Sequence, residues 1–190
     1  MNIYLIRHAE VDKKYHGCYN GWIDISLSEN GHFQAQTQAK NLKEINFDKV
    51  YSSDLKRCKE TLRHFGFDTI SYEKSLREKH WGDSEGLNYT QICKNKNTEF
   101  KDFHQWIKVL GGESIETFNT RIEDIFFNKI LLSQANNILI MTHAGVIRSV
   151  LSKLNGSSLE DGFNTNIPYA SCTQLEKIGE KINIIGISEV

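Results

Sequence analysis

Two histidines stand at the ends of apolar runs, His8 after Ile3-Tyr4-Leu5-Ile6-Arg7 and His143 after Leu139-Ile140-Met141-Thr142. In an open α/β sheet the carboxyl ends of the strands form the crevice where ligands bind. If the two runs are neighbouring strands, the imidazoles meet in space although most of the chain separates them. Arg7 directly precedes His8, and Arg57, in Ser52-Ser53-Asp54-Leu55-Lys56-Arg57, falls near the start of a helix that follows another strand. Guanidinium groups offer planar forks to phosphate oxygens, and helix starts add free N–H donors. Two arginines and two histidines converging at strand ends make an oxyanion site.

Such a site binds phosphate or transfers it. Transfer to the protein needs an atom with a free lone pair, which imidazole Nε2 supplies when a carbonyl holds Nδ1–H. The competing nucleophiles fail on spacing. No cysteine is followed six positions later by arginine: Cys18 leads to Asp24, Cys58 to His64, Cys93 to Glu99 and Cys172 to Ile178. No aspartate is followed two positions later by another, which disfavours an aspartyl-phosphate enzyme. Histidine is the remaining candidate. The four cysteines lack zinc-site or redox spacing and read as free thiols of a reducing compartment. A P-loop and a G-x-G-x-x-G fingerprint are missing, Gly111-Gly112 stands alone, and no cofactor or metal is expected.

The elements that must position these residues follow from periodicity. Strands are expected at Asn2–Ile6, Phe47–Tyr51, Thr69–Tyr72 and Asn137–Thr142, short runs rich in β-branched and aromatic residues. The first and last are continuously apolar, as in strands covered on both faces. Helices are expected at Glu29–Lys43, Ser53–Phe65, Ser114–Leu132 and Gly145–Leu154. In the third, Ile115, Phe118, Ile122, Ile125 and Phe126 form one apolar stripe with Ser114 as cap. Ser171–Glu176 and Lys181–Ile187 read as a hairpin adding an antiparallel edge. The expected fold is a three-layer α/β/α sandwich around a mostly parallel sheet. Between its elements, about residues 76–110 form an excursion holding Trp81, Tyr89 and Trp106, where a lid or specificity wall would be built.

At 190 residues the chain suits a single domain, 1–190, and a formal charge of -1 leaves no footprint for nucleic acid or an anionic membrane. The apolar start is stopped by Arg7 and His8, and no run is long enough to span a bilayer. The expectation is a soluble, cytoplasmic protein whose partner is a small molecule.

The residues also resemble a known family, the histidine phosphatase superfamily, also called phosphoglycerate mutase-like. Leu5-Ile6-Arg7-His8-Ala9-Glu10 is similar to its L-I-R-H-G-E opening, and Gly21-Trp22-Ile23-Asp24 with Leu27-Ser28 and Gly31 to its G-W-x-D…L-[ST]-x-x-G stretch. Ser52-Ser53-Asp54-Leu55-Lys56-Arg57 with Thr61 resembles S-S-D-L-x-R-x-x-x-T. Leu76-Arg77-Glu78, Gly82 and Glu85-Gly86 resemble L-R-E…G-x-x-E-G, and Gly112-Glu113-Ser114 with Arg121 resembles G-E-S…R. Thr142-His143-Ala144-Gly145-Val146-Ile147-Arg148 is a version of S-H-G-G-V-I-R. Six matches in order, at plausible spacing, cover nearly the whole chain.

The resemblance implies roles. His8 would be the nucleophile, His143 would join Arg7, Arg57 and the backbone at Ala144 in holding phosphate oxygens, and Glu78 would protonate the leaving alcohol and then activate water. Lys14, Asn20, Gly21 and Trp81 are the candidate substrate contacts, Lys14 standing where many members carry an asparagine. Ala9 and Ala144 replace the usual glycines and would add methyls beside the phosphate. Ser26 replaces a common proline. Glu113 and Arg121 read as a structural pair, and Arg148 as a packing or salt-bridge residue. The implied activity is metal-independent hydrolysis of a small phosphorylated metabolite, with α-ribazole-5′-phosphate of cobalamin assembly as a candidate. A phosphoglycerate mutase-type transfer and a weakened phospho-ligand binding module are the alternatives. Lys94, Lys96 and Lys101 could form a second basic cluster for a bisphosphate. The aromatic excursion instead favours a monophosphate on a moderately apolar leaving group.

Overall fold

The apolar run ending at His8 is an interior strand with helices on both sides. A computed structural model describes residues 1–97 and 102–190; Lys101, one of the three lysines considered for a second basic cluster, lies outside the described residues. One six-stranded sheet is formed by β1 (Asn2–Arg7), β2 (Lys49–Ser52), β3 (Ser71–Tyr72), β4 (Asn137–Thr142), β5 (Cys172–Ile178) and β6 (Lys181–Ser188). Their order is β3-β2-β4-β1-β5-β6, the first four mutually parallel, β5 antiparallel to β1 and β6 antiparallel to β5. The helices are α1 (Glu29–Asn41), α2 (Lys56–Arg63), α3 (Tyr89–Lys96), α4 (Phe103–Leu110), α5 (Ile115–Phe126), α6 (Ala144–Asn155) and α7 (Leu159–Phe163).

Strand side chains alternate between faces, so a strand apolar at every position serves two cores. Ile3, Leu5, Ile138 and Ile140 pack with Phe118 and Ile122 of α5 and Val146 and Val150 of α6. Tyr4, Ile6, Leu139 and Met141 face the other way, with Cys58 and Leu62 of α2. This is the expected three-layer sandwich. Truncating a fully buried Phe118 to alanine would cost about 3–5 kcal/mol.

Several boundaries differ from the sequence expectation. The helix expected from Ser53 begins at Lys56, because Ser53 continues the strand end and its hydroxyl is bonded to His143. The helix expected over Ser114–Leu132 has Ser114 as N-cap but stops at Phe126, followed by a separate 3-10 turn at Ile130–Leu132. The third strand shrinks to two exposed residues at the sheet edge. The Phe47–Tyr51 strand starts two residues later, with Asp48 instead capping the N–H groups of Asn136 and Asn137. The hairpin supplies two antiparallel strands, turning at Gly179 with φ +58°. The excursion contains α3 and α4, and the short α7, closed by a Ser158–Asp161 capping box, was not anticipated.

Register does the positioning. Arg7 pairs with Thr142 and Ser52 with Met141, so β1, β4 and β2 end at one level. The residues that follow, His8, His143 and Ser53, therefore share one edge of the sheet. Among the described residues no helix is long and apolar enough to cross a membrane.

Candidate active site

His8 leaves β1 with its backbone N–H on the carbonyl of Thr142, 2.9 Å away. Its ring Nδ1 lies 2.9 Å from the carbonyl oxygen of Ala9. A carbonyl only accepts, so Nδ1 carries the proton and Nε2 keeps its lone pair. Burial, reinforced by Arg57 and Arg7, holds the His8 imidazole well below its ordinary pKa. The ring is therefore neutral near pH 7.

His143 sits one layer deeper. Its ring centroid is 5.1 Å from that of His8, edge to face, yet it is fully buried and is not among the cavity-lining residues. Nδ1 accepts the Nε–H of Arg57 at 3.2 Å, which leaves the proton on Nε2, 2.8 Å from Ser53 Oγ. Burial and Arg57 hold its pKa well below the ordinary value as well.

Arg57 is almost wholly committed to the protein. Besides His143, its Nη1 donates to the Ile23 carbonyl and its Nη2 to the carbonyls of Asn20 and Gly21. One Nη1–H remains, so Arg57 is a fixed charge at the cavity floor. Arg7 is freer: Nη1 donates to the Ile167 carbonyl, the guanidinium lies 3.9 Å over the Tyr169 ring, and the buried Nε has no acceptor among the described residues.

Glu78 enters from the segment after the β3 edge. Its Oε1 accepts the backbone N–H of Lys79 at 2.8 Å and its Oε2 that of Gly145, at the start of α6, at 3.0 Å. A methyl on Gly145 would sit 2.1 Å from Glu78 Oε1, so an alanine there would displace the carboxylate from its present position. The Glu78 carbonyl accepts from Trp22 Nε1 and Arg121 Nη2. Arg121 is itself forked onto Glu113 and bonded to the carbonyls of Ser75 and Arg77, the expected structural pair acting as a brace.

These groups line a cavity of about 280 Å³. Arg7, His8, Arg57 and Glu78 supply its polar lining, with Ala144 at the start of α6, and Tyr19, Trp81, Ile107, Phe118, Leu159 and Phe163 supply apolar wall. Asn20 lines it too, with Nδ2 on the Tyr15 carbonyl and a buried Oδ1 that has no partner among the described residues.

Other expected contacts lie elsewhere. Lys14 is exposed, its ammonium 4.9 Å over the neighbouring Tyr15 ring and outside the cavity lining. Gly21 is also outside the lining, its carbonyl spent on Arg57. The Ala9 methyl does not narrow the phosphate end, because it packs with Leu27, Ala35 and Ala170 on the far side. Of the three aromatics in the excursion only Trp81 lines the cavity. Trp106 stands behind it, donating Nε1–H to the Tyr19 hydroxyl, and Tyr89 lies tilted against Trp106.

Lys79, Tyr169 and Arg148 also line the cavity, and the sequence does not single them out as site residues. Lys79 is 2% exposed, bonded among the described residues to the carbonyls of His80 and Gly111 at 3.2 and 3.3 Å, with its ammonium 4.2 Å over the Trp81 ring. Burial pushes its pKa down to about 8. Tyr169 carries no motif signal. Arg148, expected to be a packing or salt-bridge residue, forms no ion pair among the described residues and lines the cavity. Its place after Val146-Ile147, one turn into the helix that follows His143, was the available hint.

The model of the histidine phosphatase superfamily (branch 1) matches residues 3–189. Phosphoglycerate mutase-like protein 4 of Arabidopsis thaliana is 31% identical, over 87% of this chain and 76% of its own length. A probable phosphatase of Schizosaccharomyces pombe is 28% identical, over 77% of this chain and 70% of that one. The solved α-ribazole phosphatase of Shigella flexneri superposes with a TM-score of 0.85 at 23% identity, covering 97% of this chain and 94% of that one, a likeness of fold.

Proposed function

The chain belongs to the histidine phosphatase superfamily and is a phosphatase-type hydrolase, and from that premise we propose that it hydrolyses a small phosphate monoester through a phosphohistidine on His8, without a metal ion. The observation that carries this reading is the His8 tautomer: Nδ1–H is held on the Ala9 carbonyl, which presents Nε2 as the nucleophile. Nε2 attacks phosphorus as the P–O bond to the alcohol breaks, and the Glu78 carboxyl gives its proton to the departing oxygen. The Glu78 carboxylate then takes a proton from water. The resulting hydroxide attacks phosphorus, the P–N bond breaks, and its electrons return to Nε2.

Arg7 and the α6 start at Ala144 hold the non-bridging oxygens, and Arg57 supplies fixed positive charge beneath them. His143 acts chiefly by holding Arg57. Asn20 and Trp81 face the rest of the substrate, and the excursion at about 76–110 serves as the specificity wall of a single domain spanning 1–190. The apolar wall suits an alcohol with an apolar body; α-ribazole-5′-phosphate, whose base is aromatic, is a candidate on that ground, which would connect the enzyme to cobalamin assembly. We place the protein in the cytoplasm, in keeping with four cysteines that are all free.

The test is a chelator-treated assay with phenyl phosphate and α-ribazole-5′-phosphate, repeated for His8→Ala, with trapping of an acid-labile, base-stable phosphoprotein. Phosphate release without a bisphosphate primer is expected, separating hydrolysis from mutase chemistry. Full activity in His8→Ala would overturn the mechanism.

A further inference from the structure

Arg7 and Arg57 are held in different ways. Arg57 has its plane fixed by bonds to His143 and to three carbonyls. Arg7 makes, among the described residues, one side-chain bond, from Nη1 to the Ile167 carbonyl. A single bond fixes a point and leaves the plane of a guanidinium free to turn, yet the fork offers two N–H groups to an anion only when that plane is set. The second restraint is the Tyr169 ring, whose centroid lies 3.9 Å from the guanidinium carbon, within cation–π range.

Both restraints come from the loop between α7 and β5. The Ser171 N–H donates to the Pro168 carbonyl at 3.2 Å, closing a turn with Tyr169 and Ala170 at its centre. Ala170 has φ +56°, a left-handed conformation that glycine adopts freely and that costs an alanine energy. Two backbone bonds tie this turn to the residues it faces: the Ala170 N–H donates to the His8 carbonyl at 3.2 Å, and the Arg7 N–H to the Ser171 carbonyl at 3.1 Å. The Ala170 methyl is buried with Ala9, Leu27 and Ala35, which locks the turn from behind. Backbone strain persists where its surroundings over-determine it. Here it carries the ring onto Arg7, with its centroid 5.8 Å from that of His8 and 6.1 Å from that of His16, whose Nε2 lies 2.9 Å from the Val11 carbonyl.

We propose that Tyr169 is a positioning residue for the phosphoryl site: its ring sets the plane of the Arg7 guanidinium and keeps water from one face of that charge. The role belongs to the aromatic face and not to the phenol hydroxyl. It rests on the reading of Arg7 as a phosphate-binding arginine.

The test combines phenyl phosphate kinetics with calorimetric binding of tungstate, an inert tetrahedral oxyanion, to the full-length protein. Tyr169→Phe keeps the ring and should stay within about 2-fold of the unmodified protein in kcat/KM and in tungstate affinity. Tyr169→Leu should lower both by about 5- to 30-fold, the factor a partly desolvated cation–π contact supplies. In an Arg7→Met background the same leucine substitution should change tungstate affinity by less than about 2-fold, because the group it positions is gone. Tyr169→Gln repeats the cycle should the leucine variant not fold. Equal losses in the phenylalanine and leucine variants would assign the effect to the hydroxyl, and an undiminished loss in the Arg7→Met background would assign it to His8 or to the loop; either overturns the proposal. So would an unchanged tungstate affinity in Tyr169→Leu, or no tungstate binding by the unmodified protein. Tungstate binding needs no turnover, so a protein that binds it and hydrolyses no ester counts against the phosphatase reading alone.

Discussion

Arg57 donates its Nε–H to Nδ1 of His143 at 3.2 Å, and this bond ties the second histidine to a guanidinium instead of to the cavity. With Nε2–H on Ser53 at 2.8 Å, His143 has both ring nitrogens committed. Its contribution is orientation of a buried charge. His143→Ala should therefore lower kcat for aryl phosphates by roughly 10²–10³, with a smaller effect on KM, because the charge is misplaced chiefly for the transition state. Ser53→Ala, which frees the tautomer and removes the acceptor of the Leu55 N–H at the entry to α2, should cost roughly tenfold. Steady-state kinetics on both variants decides it; a His143→Ala enzyme with its kcat intact would contradict the assignment.

The same burial predicts how stability depends on pH. His8 and His143 both have folded pKa values well below the ordinary 6.5, so below that pH the unfolded chain binds protons that the folded chain does not. Their contribution is fully present above pH 6.5 and is lost as pH falls through and below it, at about 1.4 kcal/mol per pH unit for each group once well below 6.5. Melting temperatures between pH 7.5 and 5 should fall steeply for the unmodified protein and less steeply for His143→Gln. Parallel curves for the two proteins would count against this origin.

These predictions draw on residues of unequal legibility. The central strands were readable because an apolar residue at every position has one explanation, burial on both faces, and β1 and β4 appear where their composition says. His8, Arg57 and Glu78 are single residues at element ends, and local motif is enough to place them. Lys79 and Arg148 were not readable, because their approach to the cavity depends on how the excursion and α6 pack, which spacing along the chain does not encode. Ala9 shows the converse: adjacent to His8 in sequence, it faces another cluster, since successive residues at a strand end point to opposite sides.

Gly145 is constrained by one contact. The Cβ of an alanine there would lie 2.1 Å from Glu78 Oε1, and both the carboxylate and the helix start it caps would have to part. Gly145→Ala should retain its far-ultraviolet circular dichroism while losing activity by about 10²-fold or more, as displacing a reacting group by an ångström does. Wild-type turnover by a folded Gly145→Ala protein would show that Glu78 need not occupy its present position.

Lys79 is a buried ammonium held, among the described residues, by two long carbonyl bonds and an aromatic face. Its pKa of about 8 in the folded state, against an ordinary 10.5, means that its charge disfavours folding below pH 8 and that this cost fades as pH rises toward 10.5. Lys79→Met keeps the apolar stem and removes the charge, so it should raise Tm at pH 7 by about 2–4 °C, corresponding to roughly 1 kcal/mol. The gain should shrink on repeating the melt near pH 10. A lower Tm at pH 7 would mean that the carbonyl bonds outweigh the lost hydration.

Glu78 as proton donor makes a prediction about leaving groups that a purely structural Glu78 does not. The carboxyl assists only to the extent that the departing oxygen needs a proton, so its value depends on the basicity of that oxygen. In Glu78→Gln the amide can still accept one backbone N–H, from Lys79 or from Gly145, but cannot transfer a proton. Hydrolysis of p-nitrophenyl phosphate, which departs as a stable phenolate, should fall by roughly tenfold or less in the formation of the phosphoenzyme. Phenyl and alkyl phosphates should fall by about 10²–10⁴. The second step is common to all substrates, because the same phosphohistidine must be attacked by water that Glu78 no longer activates. With p-nitrophenyl phosphate the variant should therefore release a rapid burst of nitrophenol and then accumulate phosphoprotein. Equal losses for all esters without a burst would remove Glu78 from proton transfer and leave it as the cap of α6.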